Sequence, residues 1–95
     1  MFIVLLKFSE NKAQAKDHMP GHKAWIQQGF DENVFLLAGS LQPKAGGTII
    51  AHNTTLQDLQ TRINEDPFVQ ENIVSAEILE VSPSKTDEKM EFLLN

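Results

Sequence analysis

The chain's 95 residues hold eight basic and thirteen acidic side chains, a formal charge of −5 and no basic run, which allows one domain with a modest core and argues against nucleic acid as a partner. A composition 41% hydrophobic and 22% charged is neither disordered nor membrane-like. Zero cysteines exclude a disulfide framework, a thiolate nucleophile and any Cys-based metal site.

MFIVLLKF opens the chain as a short apolar run rich in branched and aromatic residues. Its brevity predicts a strand covered on both faces, central in a sheet. The apolar stretch Phe2 to Leu6 is too short for a signal-peptide core or a membrane span, so a soluble cytoplasmic protein is expected, with no membrane partner. SENKAQAKD reads as a loop with room for a helical turn. A helix is predicted from Asp17 to Gly29, capped by Asp17 and with Pro20 in its first turn. At 100° per residue His18, His22, Trp25, Ile26, Gly29 and Phe30 share one face, with Lys16, Lys23, Gln27 and Gln28 largely off it.

Asp31-Glu32-Asn33 ends that helix. VFLLAGSL and TIIAHN read as two strands joined by the turn-rich QPKAGG, close enough for an antiparallel hairpin. Thr54 or Thr55 can cap a second helix, because Gln57 and Asp58 each lie three residues beyond one of them. Leu56, Leu59 and Ile63 give that helix a core face. Pro67 marks a break, and NIVSAEILEV is the last strand. SPSKTDEK is a polar link, and MEFLL is an apolar coda that docks on the sheet or on a partner subunit. The last fifteen residues of so small a chain do not look like core.

The order β-α-β-β-α-β, with right-handed crossovers and a central hairpin, predicts an α+β ferredoxin-like sandwich: a four-stranded antiparallel sheet with both helices on one face. In that topology the start of the first helix and the residues after the second lie at the same end of the sheet. The strands look apolar on both sides, so a homodimer through the uncovered sheet face is expected.

His22 is the polar residue best placed for chemistry, mid-face and near the start of its helix. A histidine titrating near neutrality moves protons readily, although the residues alone favour a core or cavity-lining histidine bonded to a backbone carbonyl. Asp66 follows the second helix, at the same end. A carboxylate there can orient an imidazole or take a proton itself. Asp-Pro is also a good N-cap and first-turn proline, and the two roles are compatible. His18 and His22 have metal-binding spacing but lack a third ligand and an HExxH pattern, so no metal and no cofactor are expected. Gly46-Gly47 has no following Lys-Ser or Lys-Thr and reads as a hairpin turn. Ser40 can donate a hydrogen bond but sits in no GxSxG elbow. Trp25, Phe30 and Phe68 are candidates for core or pocket wall.

Taken together, MPGH at Met19–His22, Ile26, Gly39, GGTIIAH at Gly46–His52, and DPFV at Asp66–Val69 followed by EILEVSP resemble the YciI-like (YCII-related) family. The resemblance spans about residues 1 to 83, which implies one domain over 1–83 and leaves 84–95 as a C-terminal tail. It implies a ferredoxin-like fold of the dimeric α/β-barrel group, dimerising through its sheets, and a small pocket with a histidine and an aspartate that match His22 and Asp66. One characterised member type is a dehydrochlorinase of a chlorinated hydroxyhydroquinone, and muconolactone isomerase belongs to the wider fold group. Members commonly carry an arginine three residues before the histidine; this chain has Met19 there, which leaves the anion-binding role at the pocket mouth without its usual residue. The expected site is therefore catalytic His22 and Asp66 in a pocket with His18, Met19, Trp25, Ser40 and Phe68. The expected function is a cofactor-free lyase or isomerase acting on a small cyclic or aromatic metabolite, against the alternative of a non-catalytic ligand-binding or structural dimeric protein.

Overall fold

A computed structural model describes residues 1–94. Four strands, β1 (Phe2–Phe8), β2 (Phe35–Leu41), β3 (Gly46–Ala51) and β4 (Val74–Glu80), form one sheet in the order β2-β3-β1-β4. Every neighbouring pair is antiparallel. Three helices connect them: α1 (Ala15–Asp31), α2 (Leu56–Ile63) and the single turn α3 (Pro67–Gln70). This is the ferredoxin-like α+β sandwich expected from the sequence.

The pleat sorts the side chains. Phe2, Val4 and Leu6 of β1, Ile49 and Ala51 of β3, and Phe35 of β2 are buried beneath the helices, where they meet Trp25, Leu59, Ile63 and Phe68. Residues of opposite parity face away from the helices. Ile3 pairs with Ile50 on one side and Leu79 on the other, and Leu37 pairs with Ile50, so one apolar row crosses all four strands on the open face.

Several boundaries differ from the sequence-based expectation. The first helix runs from Ala15 to Asp31, not from Asp17 to Gly29, and Asp17 does not cap it. A 3₁₀ turn at Lys12–Gln14 leads directly into it, and the Ala15 N–H donates to the Lys12 carbonyl, so the helix starts by continuing a turn. Pro20 consequently sits in the second turn of α1 and not the first. Asn33, with φ of 61°, ends α1 in the left-handed conformation, where the Val34 N–H donates to the Gly29 carbonyl at 2.9 Å. Gly29 itself allows Phe35 to lie against the helix: a Cβ there would stand 2.1 Å from the Phe35 ring. β3 begins at Gly46 because the two glycines join the ladder, Gly46 opposite both Leu41 and Lys7.

Thr55 caps α2, its hydroxyl oxygen accepting from the Asp58 N–H at 3.1 Å. The tail forms a 3₁₀ segment, Glu88–Leu94, at the end of the sheet where β1 begins. The Phe92 ring meets the His52 ring there at 5.6 Å, edge to face, with Met90, Phe92 and Leu94 all half-exposed. Among the described residues no helix is long and apolar enough to cross a membrane.

Candidate active site

Antiparallel packing brings the first half of α1 against the α2–α3 junction, as the topology requires. Asp66 is the N-cap of α3, followed by Pro67 in the first turn, and its Oδ1 accepts the Phe68 N–H at 3.0 Å. The same oxygen lies 2.8 Å from His22 Nδ1. Asp66 is fully buried, and its Oδ2 has no hydrogen-bond partner among the described residues. An ionised carboxylate only accepts, so in a neutral imidazole held by this contact Nδ1 would be the donor and Nε2 the nitrogen without a proton.

Packing fixes the plane of the imidazole. Phe68, carried by the turn that Asp66 caps, stacks parallel to the His22 ring with centroids 3.9 Å apart. Trp25 lies on the α2 side, where its indole N–H donates to the Arg62 carbonyl at 2.9 Å. Arg62 also pairs with Glu32 at 2.6 Å, and this contact, followed by a hydrogen bond from Gln28, holds the Glu32 carboxyl below the usual carboxylate range. These ties lock α1 to α2 and hold Asp66 one turn further along.

Beside His22, a cavity of about 320 Å³ opens between α1 and the sheet. It exists because the helix-facing positions of β2 and β3 here are small: Ala38, Ser40 and Gly47 leave space where Phe35 and Ile49 fill it further along. Leu6, Phe8 and Val74 wall it with hydrocarbon, and Phe68 closes one side. From α1 the lining residues are Met19, His22, Lys23 and Ile26.

The structure therefore brings Met19, His22, Ser40 and Phe68 to one cavity, with Asp66 behind the histidine. It places two of the expected pocket residues outside the lining. His18 is one turn before His22, and Trp25 packs against Phe35 at 5.2 Å as part of the core. The sequence reading left out the hydrocarbon and glycine wall supplied by the strands, and on α1 it left out Lys23, because the face was drawn through the apolar residues of the helix. The signal for Lys23 was the spacing: Met19, His22, Lys23 and Ile26 fall at i, i+3, i+4 and i+7. Among the described residues no three histidine, cysteine or acidic side chains gather as a metal site.

The sequence matches the YCII-related domain over residues 1–83. The chain belongs to the YCII-related family. No curated protein matches the sequence. Among solved structures, this YCII-related chain is similar in fold to the 5-chloro-2-hydroxyhydroquinone dehydrochlorinase (TftG) from Burkholderia phenoliruptrix AC1100, in complex with 2,5-dihydroxybenzoquinone. The TM-score is 0.69 at 11% identity, covering 85% of this chain and 93% of that one. At that identity the likeness concerns the fold of the YCII-related chain.

Proposed function

We propose that the protein is a cofactor-free lyase or isomerase that moves a proton on a small cyclic compound, with His22 as the base. The observation that carries this reading is the 2.8 Å contact of His22 Nδ1 with buried Asp66 in a histidine that lines a cavity. In this reading Nδ1 donates to Asp66 and Nε2 is the base. In a substrate whose C–H is acidified by a neighbouring carbonyl, Nε2 takes the proton and the C–H electron pair enters the ring. Loss of a leaving group with its own electron pair from the adjacent carbon completes an elimination. Return of the proton to another carbon completes an isomerisation. Neither outcome consumes an oxidant or reductant. Asp66 is not part of the cavity wall, so it acts through His22 as a positioning residue: it holds the tautomer and stabilises the imidazolium that forms.

The dehydrochlorinase of the same fold, captured with a dihydroxybenzoquinone, supports a ring substrate and an elimination. The apolar row on the open sheet face supports assembly as a homodimer through that face. A thermal-shift screen with cyclic lactones, catechols and hydroxyquinones, followed by chromatography of each hit, tests the reading. Consumption of a stabilising compound, with kcat/KM at least tenfold lower in His22→Gln, is expected; positioned acid–base groups typically contribute about 10²–10⁴-fold. A compound that binds but is never consumed, or unchanged kcat/KM in His22→Gln, overturns the catalytic assignment.

A further inference from the structure

Ser40 faces the cavity because β2 is irregular. The first residue of that strand, Phe35, pairs with Ala51 and is buried beneath the helices. In an unbroken strand Leu37, Gly39 and Leu41 would follow it onto that face, and Ser40 would point to the open one. The register instead shifts between Phe35 and Leu37, so that Leu37 pairs with Ile50 and Ala38 pairs with buried Ile49. Ser40, two residues beyond Ala38, is thereby turned to the helix side, where it lines the cavity with His22. Irregularities of this kind occur at sheet edges and re-aim a side chain, and β2 is an edge strand.

The Ser40 hydroxyl is also uncommitted. Directly across the ladder stands Gly47, which has no side chain to bond it. The other hydroxyl residue of the lining, Thr48, has the opposite parity, and its Oγ1 donates to the Val4 carbonyl at 2.9 Å. The Ser40 side chain forms no such bond among the described residues. A serine hydroxyl donates one hydrogen bond and rotates to suit its acceptor. The helix wall of the cavity thus carries an imidazole, and the sheet wall carries a neutral donor with no partner of its own.

We propose that Ser40 binds the carbonyl oxygen of the substrate and stabilises the charge which that oxygen acquires as His22 removes the neighbouring proton. The inference rests on the reading of His22 as the base and adds the group that works opposite it. As Nε2 takes the proton, the C–H electron pair forms a C=C bond and the carbonyl π pair moves onto oxygen, where the bond from the Ser40 O–H strengthens. A donor aimed at developing charge accelerates the step more than it tightens binding of the uncharged ground state.

Hydrogen exchange in D2O tests this on the full-length protein, with cyclohexanone and cyclohexane-1,4-dione as probes and deuterium incorporation beside the carbonyl read by proton NMR. Return of a deuteron from the exchanged imidazolium completes each turnover, so no leaving group is needed. The wild type is expected to exchange at least one ketone about tenfold or more faster than His22→Gln. Ser40→Ala should lower kcat for exchange about tenfold while raising KM by no more than about threefold. Ser40→Thr, which keeps the hydroxyl, should restore most of the lost kcat. Because Ser40 is exposed on its edge strand, both variants should melt as the wild type does. Unchanged kcat and KM in Ser40→Ala would overturn the inference and leave His22 as the base. A rise in KM alone would reduce Ser40 to a binding contact and overturn its catalytic role. Loss of exchange in Lys23→Gln, with Ser40→Ala unaffected, would move the donor to the ammonium. If the wild type exchanges neither ketone faster than His22→Gln, the reading of His22 as the base falls, and this inference falls with it.

Discussion

One carboxylate oxygen does two jobs in this protein. Asp66 Oδ1 accepts from the Phe68 backbone and from His22, so the cap that starts α3 is also the anchor of the imidazole. Two substitutions separate the roles. Asp66→Asn retains an oxygen for both donors but loses the charge, and it is expected to lower kcat at least tenfold with little change in melting temperature. Asp66→Ala removes the cap as well and should cost about 0.5–2 kcal/mol of stability on that account, read by denaturant unfolding. Equal loss of stability in both variants, with turnover unchanged in Asp66→Asn, would leave only the structural role. The pairing was legible in the sequence because Pro67 fixed a helix start and the βαββαβ order fixed which ends meet. Lys23 was not, because a helix wheel ranks residues by polarity, and a cation at the mouth of a cavity looks the same there as one in solvent.

At the scale of elements, α1 shows what local pattern conveys and what it leaves out. Its existence follows from its amphipathic spacing, but its start depends on a preceding 3₁₀ turn with no side-chain signature, and so Asp17 looked like a cap it does not provide. Gly29 carries a long-range constraint that its own neighbourhood does not announce. Helix propensity favours Ala over Gly by about 1 kcal/mol, yet the added Cβ would lie 2.1 Å from the Phe35 ring. Overpacking of this kind typically costs about 1–3 kcal/mol, so Gly29→Ala should lower the urea midpoint; a rise would show that Phe35 moves aside freely. The tail offers a pH-dependent contact. Burial, with the N-terminal ammonium as a lesser cause, holds the His52 imidazole below the ordinary histidine range. A lowered folded-state pKa means that the unfolded chain binds the proton more readily. The contribution of neutral His52 is therefore complete above the ordinary histidine value and lost as pH falls through the lower folded-state one. Amide exchange in residues 88–94 should accelerate over that acid window, and His52→Phe, which keeps a ring against Phe92, should flatten the response.

For the whole molecule, the two faces of the sheet have different consequences. The helix-covered face holds the core and the cavity, whereas the open face holds the row Leu37, Ile50, Ile3 and Leu79, with Leu37 47% and Leu79 41% exposed. Alternation within the strands made both faces legible as apolar, because β-strand side chains alternate and neither parity of β1 is polar until Lys7. Specific dimers bury about 1,200–2,000 Å² in total, and stacking two such faces would cover the row without disturbing the cavity behind it. Light scattering at micromolar concentration is expected to give twice the chain mass of 10.7 kDa. Ile3→Lys places a charge at the centre of the row, on the side away from the core, and should return the protein to a monomer. Its urea midpoint should then lose the concentration dependence that association confers on the wild type. Because the substitution lies across the sheet from His22 and Lys23, ligand Kd in the monomer should stay within about twofold of the wild-type value, a shift of about 0.4 kcal/mol. A wild-type protein that scatters as a 10.7 kDa particle would refute the dimer. A monomeric Ile3→Lys variant that no longer binds ligand would show instead that the second copy shapes the cavity through the sheet.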